Sequence, residues 1–171
     1  MSDRLTVLLS MLLAAGLALS GPSAHAGEKK EITYVKTYSQ SFSKSTFTIG
    51  DVPNHEITQE VMRHVSKFSD PDFGPEEEWI HSQSDQIDGT GTHRGYYIQT
   101  HKGGEQTYGT FEGTHKTVAK EDGSWATTWE GKYRYVGGTG KYKNIKGTGT
   151  YKGRASPKEP IYEEGRETIE Y

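Results

Sequence analysis

The 171-residue chain has no cysteine, which excludes disulfides, a lipid-bearing cysteine and any thiolate chemistry, nucleophilic or metal-binding. It also lacks a basic excess. Its 20 Lys and Arg stand against 23 Asp and Glu, a formal charge of −3, so a phosphate backbone finds little to hold and nucleic acid is not an expected partner. Apolar residues are scarce, at 31%, and many of them are Tyr, which disfavours a bundle of leucine-packed helices. Long apolar runs are missing except for Leu5 to Leu19, which is short for a membrane span. That run follows Arg4 and precedes Ala24-His25-Ala26, the small-x-small pattern of a secretory cleavage site. The expected organisation is a signal peptide over 1–26, cleaved after Ala26, and one domain over 27–171. The expected location is the periplasm or the medium, with no membrane span.

Phosphate-binding and catalytic signatures are absent too. The glycine- and lysine-rich stretch "GGTGKYKNIKGTGTYKG" (137–153) fails as a Walker loop, because Gly140-Lys141 is followed by Tyr142 and no glycine precedes at the required distance. It fails as a dinucleotide fingerprint because Lys143 stands where the third glycine belongs. There is no G-x-S-x-G, and no H-x-H or H-E-x-x-H among the seven histidines. His115 has no metal-binding neighbour in sequence and would meet His81 only through the fold. Asp70, Asp72 and Glu76 around Gly74 echo a calcium loop without its downstream ligands, so this reads as an acidic solvated loop. No cofactor or metal is expected.

What the chain does contain is alternation. In "SWATTWEGKYRY", Trp125, Thr127, Trp129, Gly131, Tyr133 and Tyr135 share one face and Glu130, Lys132 and Arg134 the other, the period of a half-buried strand. A hairpin is expected across Gly103-Gly104. Pairing Lys102 with Glu105 places Arg94, Tyr96 and Ile98 inward with Gly109, Phe111, Gly113 and His115, and sends His93, Tyr97, Gln99 and His101 outward. Further strands are expected near 31–42, 56–68, 77–87, 145–153 and 160–170, with a short one near 46–49. About eight strands are enough to close a single antiparallel β-barrel whose lumen is filled or holds one small ligand. The glycine stretch then reads as a barrel corner, with Lys141, Lys143, Lys146 and Lys152 outside.

"YVGGTGKYKNIKGTGTYKG" and the preceding "YGTFEGTH" resemble the allene oxide cyclase and dirigent-like barrels, nearest to bacterial exported members. The resemblance covers about Gly91 to Gly153. It implies an eight-stranded antiparallel barrel open at one end, and in plants such barrels cyclise a fatty-acid epoxide or steer phenoxy-radical coupling. The cyclase's catalytic residues cannot be matched here position by position.

The expected ligand-binding set is Arg94, Tyr96, Phe111, His115, Trp125, Trp129, Tyr133 and Tyr135, an apolar floor with a few polar hands. Glu163 and Glu167 share a face with Ile161, Gly165 and Ile169 and are expected to meet Arg94 inside. Three readings stay open: a barrel binding a small apolar or aromatic molecule without chemistry, a cyclase or isomerase of an oxygenated lipid, and a structural barrel with a filled lumen.

Overall fold

The structure is a computed structural model and describes residues 28–171; the expected signal peptide and its cleavage site lie outside the described residues. Eight antiparallel strands follow one another around a closed barrel: β1 (Lys30–Thr48), β2 (His55–Phe68), β3 (Pro75–Ile87), β4 (Thr90–His101), β5 (Gln106–Ala119), β6 (Trp125–Gly138), β7 (Lys146–Ser156) and β8 (Glu159–Glu170). Each pairs with its neighbours in sequence, and β8 closes on β1 from Lys30↔Ile169 to Val35↔Glu164. Closure removes the exposed edges that a sheet of this length would otherwise present. The short strand expected at 46–49 is instead the far end of β1, which stays paired with β2 through Thr48↔Glu56.

Aromatic side chains line the interior, and inward-facing glycines make the room for them. A Cβ at Gly149 would lie 2.3 Å from the Tyr133 ring, one at Gly153 2.3 Å from Trp129, and one at Gly109 2.0 Å from Tyr97. Each of these glycines thus receives the ring of its paired residue on the neighbouring strand, Tyr133 and Trp129 on β6 and Tyr97 on β4. The corner itself, after Gly138, is a single 3-10 turn, Gly140–Tyr142, that buries Tyr142. Lys141, Lys143, Lys146 and Lys152 are all exposed.

One end of the barrel is plugged. Asp70 accepts hydrogen bonds at Oδ1 from the backbone N–H groups of Asp72 and Phe73 and pairs at Oδ2 with Lys30, 3.2 Å away. This pinned turn drives Phe73 into the lumen, where it is completely buried against His101, Tyr135, Tyr142 and Tyr171. The acidic loop is a stopper. His101 Nδ1 meets the Phe73 carbonyl at 2.7 Å, and His101 Nε2 lies 3.0 Å from Thr107 Oγ1, which tie the plug to β4 and β5.

Candidate functional site

The expected β4–β5 register is off by one residue. His101 N–H donates to the Glu105 carbonyl, so the turn is the three-residue Lys102-Gly103-Gly104, with φ of +101° and +86° at its glycines. The ladder runs Thr100↔Gln106, Tyr97↔Gly109, Arg94↔Glu112. Because side chains alternate, a slip of one inverts the whole strand. Arg94 and Tyr96 therefore point outward: Tyr96 is 65% exposed, and Arg94 reaches only Gln83 on the outer wall. Neither lines the lumen, and Arg94 meets neither Glu163 nor Glu167. His93, Tyr97, Gln99 and His101, expected outside, face inward; Tyr97, Gln99 and His101 are buried.

The β5 and β6 faces are as expected. Phe111, His115, Trp129 and Tyr133 line a cavity of about 680 Å³ that opens at the end opposite Phe73. Trp125 stands at its mouth, 43% exposed rather than buried, and Tyr135 lies at its base, fully packed with Tyr97 and Tyr133. The sequence reading missed Tyr151 from β7, Tyr97 and His93 from β4, Met62 and His64 from β2, and Lys36 from β1. Tyr151 was within reach, since it shares parity with Gly147, Gly149 and Gly153. The others depended on registers that no local pattern fixes.

Glu163 is the best-connected group inside. Lys36 Nζ lies 2.9 Å from its Oε1, Trp129 Nε1–H donates to its Oε2 at 2.7 Å, and the Tyr34 hydroxyl donates at 3.3 Å. Burial opposes its charge, but Lys36 and the two donated hydrogen bonds from Lys36 and Trp129 prevail and hold the carboxyl below its ordinary range. This ion pair sits where β1 and β8 part company, one step beyond Val35↔Glu164. Glu167, deeper, accepts at Oε2 from Tyr133 and Tyr135, both at 2.8 Å. Burial dominates there and pushes its carboxyl up to about 7, with Glu78 adding to the rise against those two hydrogen bonds.

A second polar group sits higher on the aromatic wall. His93 Nε2 lies 2.6 Å from the Tyr151 hydroxyl, and the His93 and His115 rings are 5.7 Å apart. Burial, reinforced by His115, lowers His93 to about 4, so the imidazole is neutral near pH 7. His115 Nε2 meets Gln86 Oε1 at 3.0 Å, and burial lowers its pKa as well. His81 lies on the outer wall, away from His115, and among the described residues no group of three or more His, Asp or Glu is placed to hold a metal ion.

The chemistry on offer is an aromatic slot about the size of a drug-like ligand, with a neutral imidazole–phenol pair on one wall and a compensated carboxylate below. No family model, no curated protein and no solved structure matches the chain.

Proposed function

We propose that this protein is an exported, soluble barrel that binds a small apolar or aromatic molecule in its open lumen. The observation that carries the reading is the division of the interior: one half is packed solid around Phe73, while the other keeps a cavity of about 680 Å³ walled by Phe111, Trp125, Trp129 and Tyr151. A barrel built only for structure gains nothing from leaving such a space, since an unfilled apolar void forfeits contacts. Solubility is supported by the outer wall, where Arg94, Glu112, Lys132, Arg134 and Arg166 occupy the mid-height of the strands. A lipid-embedded barrel needs an apolar band there instead.

Fluorescence titration with small aromatics and fatty alcohols tests this, on the wild type, on Trp129→Ala and on the outer-wall control Lys132→Ala. Saturable binding is expected for the wild type and Lys132→Ala, and its loss in Trp129→Ala. Absence of binding in the wild type, with no ligand co-purifying in native mass spectrometry, leaves a filled structural barrel. Export is tested separately by N-terminal sequencing of protein from a periplasmic extract, where a start at Gly27 is expected and an intact Met1 contradicts it.

A second reading, isomerisation or cyclisation of a bound oxygenated molecule, is favoured by one observation. His93, neutral and 2.6 Å from the Tyr151 hydroxyl, is a base and acid pair facing the same cavity. The outward turn of Arg94 removes the cation that the sequence had offered for such chemistry. Turnover of an epoxide or enone probe that vanishes in His93→Gln while binding persists supports this reading.

A further inference from the structure

The two ends of the barrel meet solvent differently. At the open end four connections ring the cavity mouth: 49–54 between β1 and β2, 88–89 between β3 and β4, 120–124 between β5 and β6, and 157–158 between β7 and β8. Each carries, in the loop or at the strand end beside it, a large apolar side chain that solvent reaches: Ile49 and Val52, then Ile87, then Val118 and Trp125, then Ile161, all between 41% and 49% exposed. The plugged end has no such ring. In its three connections, 69–74, 102–105 and 139–145, Phe73, Tyr142 and Ile145 are buried and no large apolar side chain is exposed among the described residues.

The rim runs into the bore without a break. Trp125 and Ile161 line the cavity as well as the lip, so an apolar surface leads from outside to Trp129, Phe111 and Tyr151. The lip's charges are spent on one another: His55 sits between Asp51 and Asp85, at 2.5 and 2.9 Å, Lys158 holds Asp122 at 2.6 Å, and the Asn54 amide donates to Asp88 at 2.7 Å. Exposed apolar groups gathered in this way mark a contact surface.

We propose that the open end seats on the surface of a bilayer of zwitterionic lipid, its loop tips entering the headgroup region, so that an apolar ligand passes between membrane and bore. This deepens the ligand-binding reading above and rests on it for the cargo; the docking rests on the rim. The tips come from four separate connections set around a hole, which suits a plane pressed against all of them and gives a protein partner no continuous face to pack. A second copy, mouth to mouth, would bring the lip carboxylates Asp51, Asp85, Asp88 and Asp122 against their own counterparts and shut both cavities. The same carboxylates disfavour anionic lipid. Trp125 suits the membrane–water boundary, where the ring lies in the apolar layer and its N–H in the wet one. Arg94, Lys132, Arg134 and Arg166 on the outer wall stop the barrel at that depth, since lipid does not accept them.

Co-flotation with vesicles of phosphatidylcholine, pure or doped with phosphatidylglycerol, is the test. The wild type is expected to float with the pure vesicles, its tryptophan emission moving to shorter wavelength as Trp125 enters the boundary. Ile49→Ser combined with Val52→Asp, both at exposed loop positions that leave the fold intact, should lower vesicle affinity at least tenfold. Phe42→Ser, at an aromatic 54% exposed on the flank against Trp79, should leave it unchanged. Titration of the double variant in solution with a small aromatic is expected to match the wild type. Binding that requires phosphatidylglycerol, binding that Phe42→Ser weakens as much as the double variant does, or no flotation overturns the docking, while a saturable titration keeps the cavity reading. A dimer in light scattering that the double variant dissociates also overturns it, in favour of a second copy. Flotation without ligand binding in solution overturns the cavity reading, and the passage of cargo with it, and leaves the docking.

Discussion

Glu167 is the residue whose environment makes the sharpest prediction. Its carboxyl is buried, accepts two tyrosine hydrogen bonds and titrates at about 7 against an ordinary 4.5. A raised value means that the folded state prefers the proton, so this contribution to stability is complete below about pH 4.5 and is lost as pH climbs through 7. The gap is worth about 3 kcal/mol. Glu167→Gln mimics the protonated acid. It should match the wild type at pH 4 in chemical denaturation and exceed it by roughly that amount at pH 9. An unchanged difference between the two pH values would refute the assignment. His93 acts in the opposite sense. Its depressed value, about 4, gives stability that is complete above about 6.5 and lost as pH falls towards 4. His93→Gln should flatten the acid side of the stability curve. Close approach decides a third residue: at Gly109 a methyl group would stand 2.0 Å from the Tyr97 ring, and Gly109→Ala should cost about 1–3 kcal/mol, measurable by urea unfolding.

At the level of elements, the turn between β4 and β5 governs which residues see the lumen. Gly104 holds φ at +86° with open space where a Cβ would be, so Gly104→Ala isolates backbone strain and should cost about 1 kcal/mol in urea unfolding, whereas a packing residue would cost more. This turn also shows where sequence reasoning stops. The inner face of β6 was legible because Trp125, Trp129, Tyr133 and Tyr135 alternate with charges, a pattern that needs no partner strand. The inner face of β4 was not, because both of its faces carry aromatics and histidines, and only the count of turn residues tells them apart. Two glycines suggested a two-residue turn, and the real one takes in Lys102 as well. Phe73 was hidden for another reason: a plug is a loop residue defined by the barrel it closes, and the short acidic stretch around it reads as solvent-facing. Phe73→Ala should cost about 3–5 kcal/mol in thermal or urea unfolding, as for other buried aromatics, and leave ligand binding at the opposite end unchanged in the folded fraction.

On the scale of the molecule, the barrel is a polar cylinder with an aromatic bore, sealed at one end and hollow at the other. The eight-strand antiparallel closure was readable from alternation and strand count; the division into stopper and cavity required the tertiary fold. That division is the claim on which the function rests, and the three tryptophans report on it independently. Trp125 and Trp129 line the bore, while Trp79 on β3 lies on the outer wall against Phe42. The direct measurement is an NMR titration that follows the three indole N–H signals as a neutral aromatic is added. The Trp125 and Trp129 signals should shift with one saturating curve while Trp79 stays in place. If all three stay still, or Trp79 moves with the others or alone, the ligand does not enter the lumen and the account is wrong.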